Sequence, residues 1–251
     1  MIEQLRAEMR KAANPGKAAG MQAYMKSTMP YYGVSLPGVR VISKRVFANK
    51  LSCAEWRDTI LDLWRTAQHR EERYVALHLL RDHRYRDCIT PHVMPVIEEL
   101  IVTGAWWDLV DETAHVVGDL LRKNPKQIRP LMRKWSTDSN LWKRRVSIIC
   151  QLDFKRQTDL VLLYSNIQAN FADRDFFIRK AIGWALRQYA WTDPQEVARY
   201  VREHEAELSS LSRREALKNI ANAGSSRRSG VLARDDASPS GPSVISPSGG
   251  R

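Results

Sequence analysis

Apolar residues recur at intervals of three and four along most of the chain, and strand-like alternation is hard to find. Met1 to Ala13 reads as one amphipathic helix, stopped by Asn14-Pro15-Gly16. A short helix follows over Gly20 to Lys26 and is broken by Pro30. Ser35 is placed to cap a helix with Pro37 in its first turn, running to about Asn49. Ser52 opens the next, with Trp56, Ile60, Leu63 and Trp64 on one face. The spacing predicts further helices over Arg70–Asp82, Pro91 to near Gly104, Trp106–Lys123, Pro125–Trp135, Leu141–Leu152 and Thr158 to about Asn170. The last three are expected over Phe176–Tyr189, Pro194 to about His204 and Ser212–Ala221.

These helices come in pairs. First helices begin near Arg70, Trp106, Leu141 and Phe176, a period of about 35 residues that falls within the range of helical-hairpin repeats. Trp142-Lys143-Arg144-Arg145 and Phe177-Ile178-Arg179-Lys180 are the same pattern one period apart. One hairpin cannot bury its apolar face alone, and stacking gives a continuous core. The expected fold is therefore all-α: HEAT-like repeats over residues 1–222, forming a curved solenoid with a concave basic face. An irregular helical bundle is the alternative. From residue 223 to 251 Ser, Gly and Pro dominate and large apolar residues are scarce, the composition of a disordered tail.

Charge sharpens this picture. The formal net charge of +12 suits a polyanionic partner, nucleic acid being the commonest. Cys53, Cys88 and Cys150 are odd in number and lack any C-x-x-C, which reads as three buried free thiols in a reducing compartment. The first ten residues have no apolar signal core, and no run is long enough to span a membrane. A cytoplasmic, nucleoid-associated protein is expected. No phosphate-binding glycine loop, nucleophile elbow or metal-ligand spacing occurs, so no cofactor and no metal are expected.

Candidate chemistry centres on Trp106-Trp107-Asp108-Leu109-Val110-Asp111-Glu112. Trp107 and Asp111 are four apart and share a helix face. Arg145 lies 34 positions beyond Asp111, nearly equivalent in the next repeat, and Lys180 lies 35 beyond Arg145. Trp184 is one turn past Lys180. Together these form a stripe across adjacent first helices. Aromatic rings interleaved with basic residues suit a nucleic-acid backbone and an exposed base. A bland reading stands beside it. Trp107 and Trp184 could be core residues, Asp108 an ordinary first-turn acid, and the Asp111–Arg145 pair a bridge between repeats. Trp106, Trp56, Trp64, Trp135 and Trp191 are assigned to the core, and His115, one turn beyond Asp111, is expected to be structural.

At Trp106-Trp107-Asp108-x-x-Asp111 the chain resembles the DNA alkylation repair family, the AlkD-type glycosylases built from HEAT-like repeats. Met21 to Lys26, Leu141 to Arg145 and Phe177 to Ala190 resemble further motifs of that family in order, over about residues 1–221. The resemblance implies excision of purines alkylated at N3 or N7 from duplex DNA by a monomer, without full base flipping. It implies that Asp111 is the catalytic carboxylate. Trp107 and Trp184 would line the lesion nucleotide, Arg145 would lie beside the backbone, and Tyr24 would stand near the same cleft. Arg144 and Lys180 are added as further DNA contacts. A non-catalytic nucleic-acid-binding or protein-interaction scaffold is the alternative.

Overall fold

The computed structural model describes residues 1–229, with side-chain surroundings through residue 220. Among the described residues every regular element is helical. The thirteen α-helices are α1 (Ile2–Lys11), α2 (Pro15–Met25), α3 (Leu36–Val46), α4 (Cys53–Arg65), α5 (Arg70–Arg81), α6 (Met94–Gly104), α7 (Trp107–Lys123), α8 (Pro125–Trp135), α9 (Leu141–Ile149), α10 (Leu160–Gln168), α11 (Phe176–Tyr189), α12 (Pro194–Glu203) and α13 (Ser210–Ser229).

Local chemistry sets the boundaries. The Ser35 hydroxyl accepts from the Gly38 amide, and Ser52 forms a reciprocal capping box with Glu55. Asn14, Asn140, Asp159, Asp175 and Asp193 cap later helices through their side chains. Each cap supplies an acceptor to an amide that has no partner inside the helix.

Stacking gives a helical repeat solenoid. The odd-numbered helices form one row, α1 against α3 and so on to α11 against α13. Most even-numbered helices pack behind this row: α4 on α5, α6 on α7, α8 on α7 and α9, and α12 on α13. The core runs through every repeat without a break, from Leu5 and Met9 to Val201 and Ala216. Trp56, Trp64 and Trp135 are buried in it, as their periodicity implies. Two glycines allow close approach. A Cβ on Gly118 of α7 would lie 2.2 Å from the Cys150 carbonyl oxygen, so only glycine lets α7 and the end of α9 meet there. Gly33 takes φ +82°, and a Cβ there would lie 2.1 Å from the Asn14 carbonyl oxygen.

The N-terminal segment is fastened by two fully buried acids of α5. Glu71 accepts from the backbone amides of Tyr32, Gly33 and Val34 at 3.0, 2.9 and 3.1 Å. Glu72 accepts from Arg6 Nε at 3.0 Å and from the Tyr32 hydroxyl at 2.9 Å. Burial of two carboxylates is tolerable here because their oxygens are met by donors, one of them cationic.

Three expectations are corrected or bounded. Cys53 and Cys88 are not free thiols: they form a disulfide joining the start of α4 to the loop after α5, and only Cys150 is unpaired. The argument for a reducing compartment rested on unpaired thiols and loses that support. Trp191 is not in the core. It follows the end of α11 and is 72% exposed. The helix α13 continues to Ser229, past residue 223 where the composition changes, and the rest of the expected tail lies outside the described residues. No helix among the described residues is long and apolar enough to cross a membrane.

The disulfide closes a loop of 35 residues. Reduction is expected to lower unfolding stability by about 3 kcal/mol, through the entropy returned to the unfolded chain. Urea midpoints with and without dithiothreitol, compared with a Cys53→Ser/Cys88→Ser protein, measure this. Equal midpoints would show that the staple contributes nothing.

Candidate functional site

Helix α7 buries Leu109, Val110, Ala114, Val117, Leu120 and Leu121 and turns a polar stripe away from the core. That stripe carries Asp108, Asp111, Glu112 and His115. At 100° per residue, Asp108 and Glu112 lie on one flank, and Asp111 and His115 on the other. The bonds follow this division. Toward α5, Asp108 accepts from Arg70 at 3.2 and 2.5 Å and from the Tyr74 hydroxyl at 2.7 Å, and Glu112 pairs with Arg81. Toward the next repeat, Asp111 pairs with Arg145, and His115 with Asp153.

The Asp111–Arg145 pair is bidentate. Arg145 Nε donates to Oδ1 and Nη2 to Oδ2, both at 2.7 Å. Arg145 Nη1 donates to the Phe177 carbonyl at 2.7 Å, which ties the same fork to α11. The arginine is 5% exposed. Its guanidinium is therefore committed to orienting Asp111, and reaching a phosphate would require breaking these bonds. Burial pushes the Asp111 carboxyl above its ordinary range, while Arg145 and then His115 pull it back only in part. Removal from water is thus the dominant influence on this carboxylate.

The tryptophans separate by position. Trp107 is the first residue of α7 and is 37% exposed. Trp106 is half-buried and packs on Phe177 and Trp142, with ring centres 5.4 and 6.4 Å away, which is the packing role its pattern implies. Trp184 is half-buried, and the Arg145 guanidinium lies 6.0 Å from its ring centre, at the outer limit of a cation–π contact. Arg145 therefore links Asp111 to Trp184.

Other expected residues stand further from this constellation or are engaged elsewhere. Arg144 donates to the carbonyls of Asp138 and Ser139 at 2.8 and 3.1 Å and to Asp173 at 2.9 Å, bracing the turns before α9 and α11. Lys180 pairs with Glu215 of α13 at 3.1 Å. Glu215 also takes Arg187 and Lys218, at 2.8 and 2.5 Å. One buried acid thus faces three cations. Tyr24 is 79% exposed on α2. On the other side of the stripe, an open groove of about 720 Å³ is lined by Arg40, Lys44, His78, Arg81, Arg84 and Glu112, among others. Arg81 and Arg84 are paired with Glu112 and Asp82 of the same lining, so its positive surplus comes from Arg40 and Lys44, and it reaches α7 at Glu112, beside Asp111. His78 in its wall is lowered to about 4 by burial, reinforced by Arg40, so it is neutral near pH 7.

Several parts of the site were not anticipated. Asp108 is no ordinary first-turn acid: Arg70, Tyr74 and, through a 3.0 Å phenol–phenol bond, Tyr31 form a network around it. Burial raises the pKa of both phenols, so both remain protonated. Arg70 and Asp108 are separated by 38 positions, as are His115 and Asp153, so a search at the repeat period misses both pairs. Phe176, at the start of α11, is 53% exposed and marks a further aromatic surface.

Replacing Arg145 with Gln leaves a buried carboxylate unpaired, and a loss of about 3 kcal/mol is expected at neutral pH. Asp111 protonation removes the uncompensated charge, so the deficit should shrink as pH falls. Urea unfolding of Arg145→Gln, Asp111→Asn and the double variant tests this. A pH-independent, additive deficit would contradict it.

The comparisons with known proteins agree with this architecture. The family model of the DNA alkylation repair enzyme matches residues 5–220. A solved structure described as a predicted DNA alkylation repair enzyme from Enterococcus faecalis is 29% identical, with a TM-score of 0.71; the match covers 83% of this chain and 97% of that one. No curated protein matches the chain. With the model spanning most of its length, the chain belongs to the DNA alkylation repair enzyme family.

Proposed function

We propose that the protein is a monofunctional DNA glycosylase that hydrolyses the N-glycosidic bond of cationic N3- or N7-alkylated purines in duplex DNA, acting as a monomer. The observation that carries this is the setting of Asp111: its side chain is largely buried and both its oxygens are held by Arg145. A cation brought beside such a carboxylate gains more than it would in water, because the solvent that would screen the pair is already excluded.

The chemistry needs one acid group. An N3- or N7-alkylated purine already carries positive charge and leaves as a neutral base, so no proton need be delivered to it. As the glycosidic bond stretches, charge moves to the sugar, which becomes oxocarbenium-like. Asp111 stabilises that charge and orients the attacking water. Arg145 keeps the carboxylate in one rotamer, so little reorganisation is needed during the reaction. The exposed ring of Trp107 and the half-buried ring of Trp184 offer π faces to the cationic base or sugar, worth about 0.5–2 kcal/mol each. The sugar is approached from the helix-row surface, which suits a base left largely in the stack. Tyr24 at its exposed position, Lys180 and the cationic groove between α3 and α5 supply contacts to the backbone, while Arg144 acts through the turns it braces.

A non-catalytic DNA-binding scaffold would use the same cations but has no need of a desolvated carboxylate. Asp111→Asn separates the two. Release of 7-methylguanine and 3-methyladenine from alkylated duplex DNA should fall by at least ~100-fold, with DNA affinity retained. Release at the wild-type rate would sink the catalytic assignment, and absence of release by the wild-type protein would favour the scaffold.

A further inference from the structure

His115 stands one turn beyond Asp111 on α7, on the flank that faces the next repeat. Its Nδ1 lies 2.6 Å from Oδ2 of Asp153, in the turn after α9. A carboxylate at that distance holds the proton on Nδ1 and leaves Nε2 as the lone-pair nitrogen. Nε2 has no protein hydrogen bond and is not a buried atom, and the side chain is 26% exposed. The neighbouring carboxylates are engaged: Asp108 by Arg70 and Tyr74, Glu112 by Arg81, Asp111 by Arg145. Nε2 of His115 is thus a basic atom on this flank with no partner of its own among the described residues.

Glycosidic hydrolysis leaves a proton to place. The purine departs with the bonding electron pair and becomes neutral. A water oxygen then bonds to C1′ of the cationic sugar, and one of its O–H bonds must break. Each Asp111 oxygen already gives one lone pair to Arg145, so protonating Asp111 would weaken the bidentate pair that orients it. We propose that His115, held by Asp153, accepts the proton of the water that attacks the sugar. This rests on the glycosylase reading of Asp111. Nε2 takes the proton, the O–H electron pair stays on the new C1′ hydroxyl, and the imidazolium is balanced by Asp153. Asp153 is 63% exposed, so the proton passes on to solvent. The arrangement has the logic of a carboxylate-oriented general base.

The same carboxylate argues against a phosphate contact. A DNA phosphate approaching His115 meets the exposed negative charge of Asp153 and that of Asp111. Phosphate sites are instead built from arginine and lysine. The other charged groups around His115 are Glu112, Asp119 and Arg122 of α7, Arg145 of α9, and Arg81 and His78 of α5. Arg81 and Arg145 are paired, Arg122 bonds Asp119 and reaches the Asp153 carbonyl at 3.4 Å, and His78 is neutral near pH 7.

Single-turnover release of 7-methylguanine from alkylated duplex DNA, at saturating protein, tests the proposal with wild type, His115→Gln, His115→Ala and Asp153→Asn. The expected result is release slowed by about 100-fold in the His115 variants and by less in Asp153→Asn, with DNA affinity unchanged. Added imidazole should restore part of the His115→Ala rate, which a structural role does not predict. Wild-type rates in the variants overturn the proposal. So does a loss confined to DNA affinity with a weaker salt dependence, the mark of a phosphate contact. Should a His115 variant unfold, Asp153→Asn still decides. No release by wild type removes the glycosylase reading itself, and release by wild type with unaltered variants removes only the role of His115.

Discussion

A carboxylate clasped between two repeats couples the stability of this solenoid to its chemistry. Asp111 belongs to α7, and its partner Arg145 to α9. The guanidinium also holds a carbonyl of α11, so three successive helices of the odd row meet at one side chain. Such a pair is costly to bury, and an apolar replacement of the same shape would often be as stable. What the pair gives is direction. Two parallel bonds fix the carboxylate plane, and the helices that present them are held together by a core in which Gly118 admits the Cys150 carbonyl at contact distance. A larger residue at Gly118 would separate α7 from the end of α9 and lengthen the reach of the Arg145 fork.

The acids of a strongly basic protein are explained by the same helix. Asp108 and Glu112 bind cations of α5, and Asp111 and His115 bind groups of the following repeat. These acids therefore neutralise arginines at repeat junctions and leave the net positive charge to the surface. Asp108 has a second effect. Through Tyr74 and Tyr31 it connects the start of α7, where Trp107 stands, to the loop that Glu71 clamps by three amides. The position of Trp107 thus depends on α5 and the N-terminal loop as well as on its own helix.

The helices were legible because their signals are local. Apolar periodicity, Ser and Asp caps, and the Asn-Pro stops act within a few residues, and most predicted helices lie close to their expected spans; α2 begins at Pro15 instead of Gly20, because Asn14 caps it and Pro15 suits its first turn, and α13 runs on to Ser229. The Asp111–Arg145 pairing was legible because 34 positions is nearly one repeat. Pairs formed at 38 positions were not, since they join different parts of the repeat, and periodicity carries no information about which flank of a helix a side chain will serve. Trp191 illustrates a related limit: it lies past the end of α11, where helical spacing no longer says what faces inward. Cys53 and Cys88 show the opposite case. Their separation of 35 was visible, but an odd cysteine count pointed elsewhere, and nothing in the sequence alone brings the start of α4 beside the loop after α5.

On the glycosylase reading proposed above, the division of labour around Asp111 follows from the charge of the leaving group. When the base is already cationic, strong acid catalysis is unnecessary, and the remaining tasks are to stabilise a developing sugar cation and to remove a proton from water. The first task favours a carboxylate that is desolvated and immobile. Arg145 provides immobility, and a proton placed on the carboxylate would weaken the two bonds that supply it. A site that orients its carboxylate so firmly gains from a second acceptor nearby, one that is oriented by a different acid and still open to solvent. His115 with Asp153 has those properties, and its place one helical turn from Asp111 puts it on the same flank of α7 as that carboxylate.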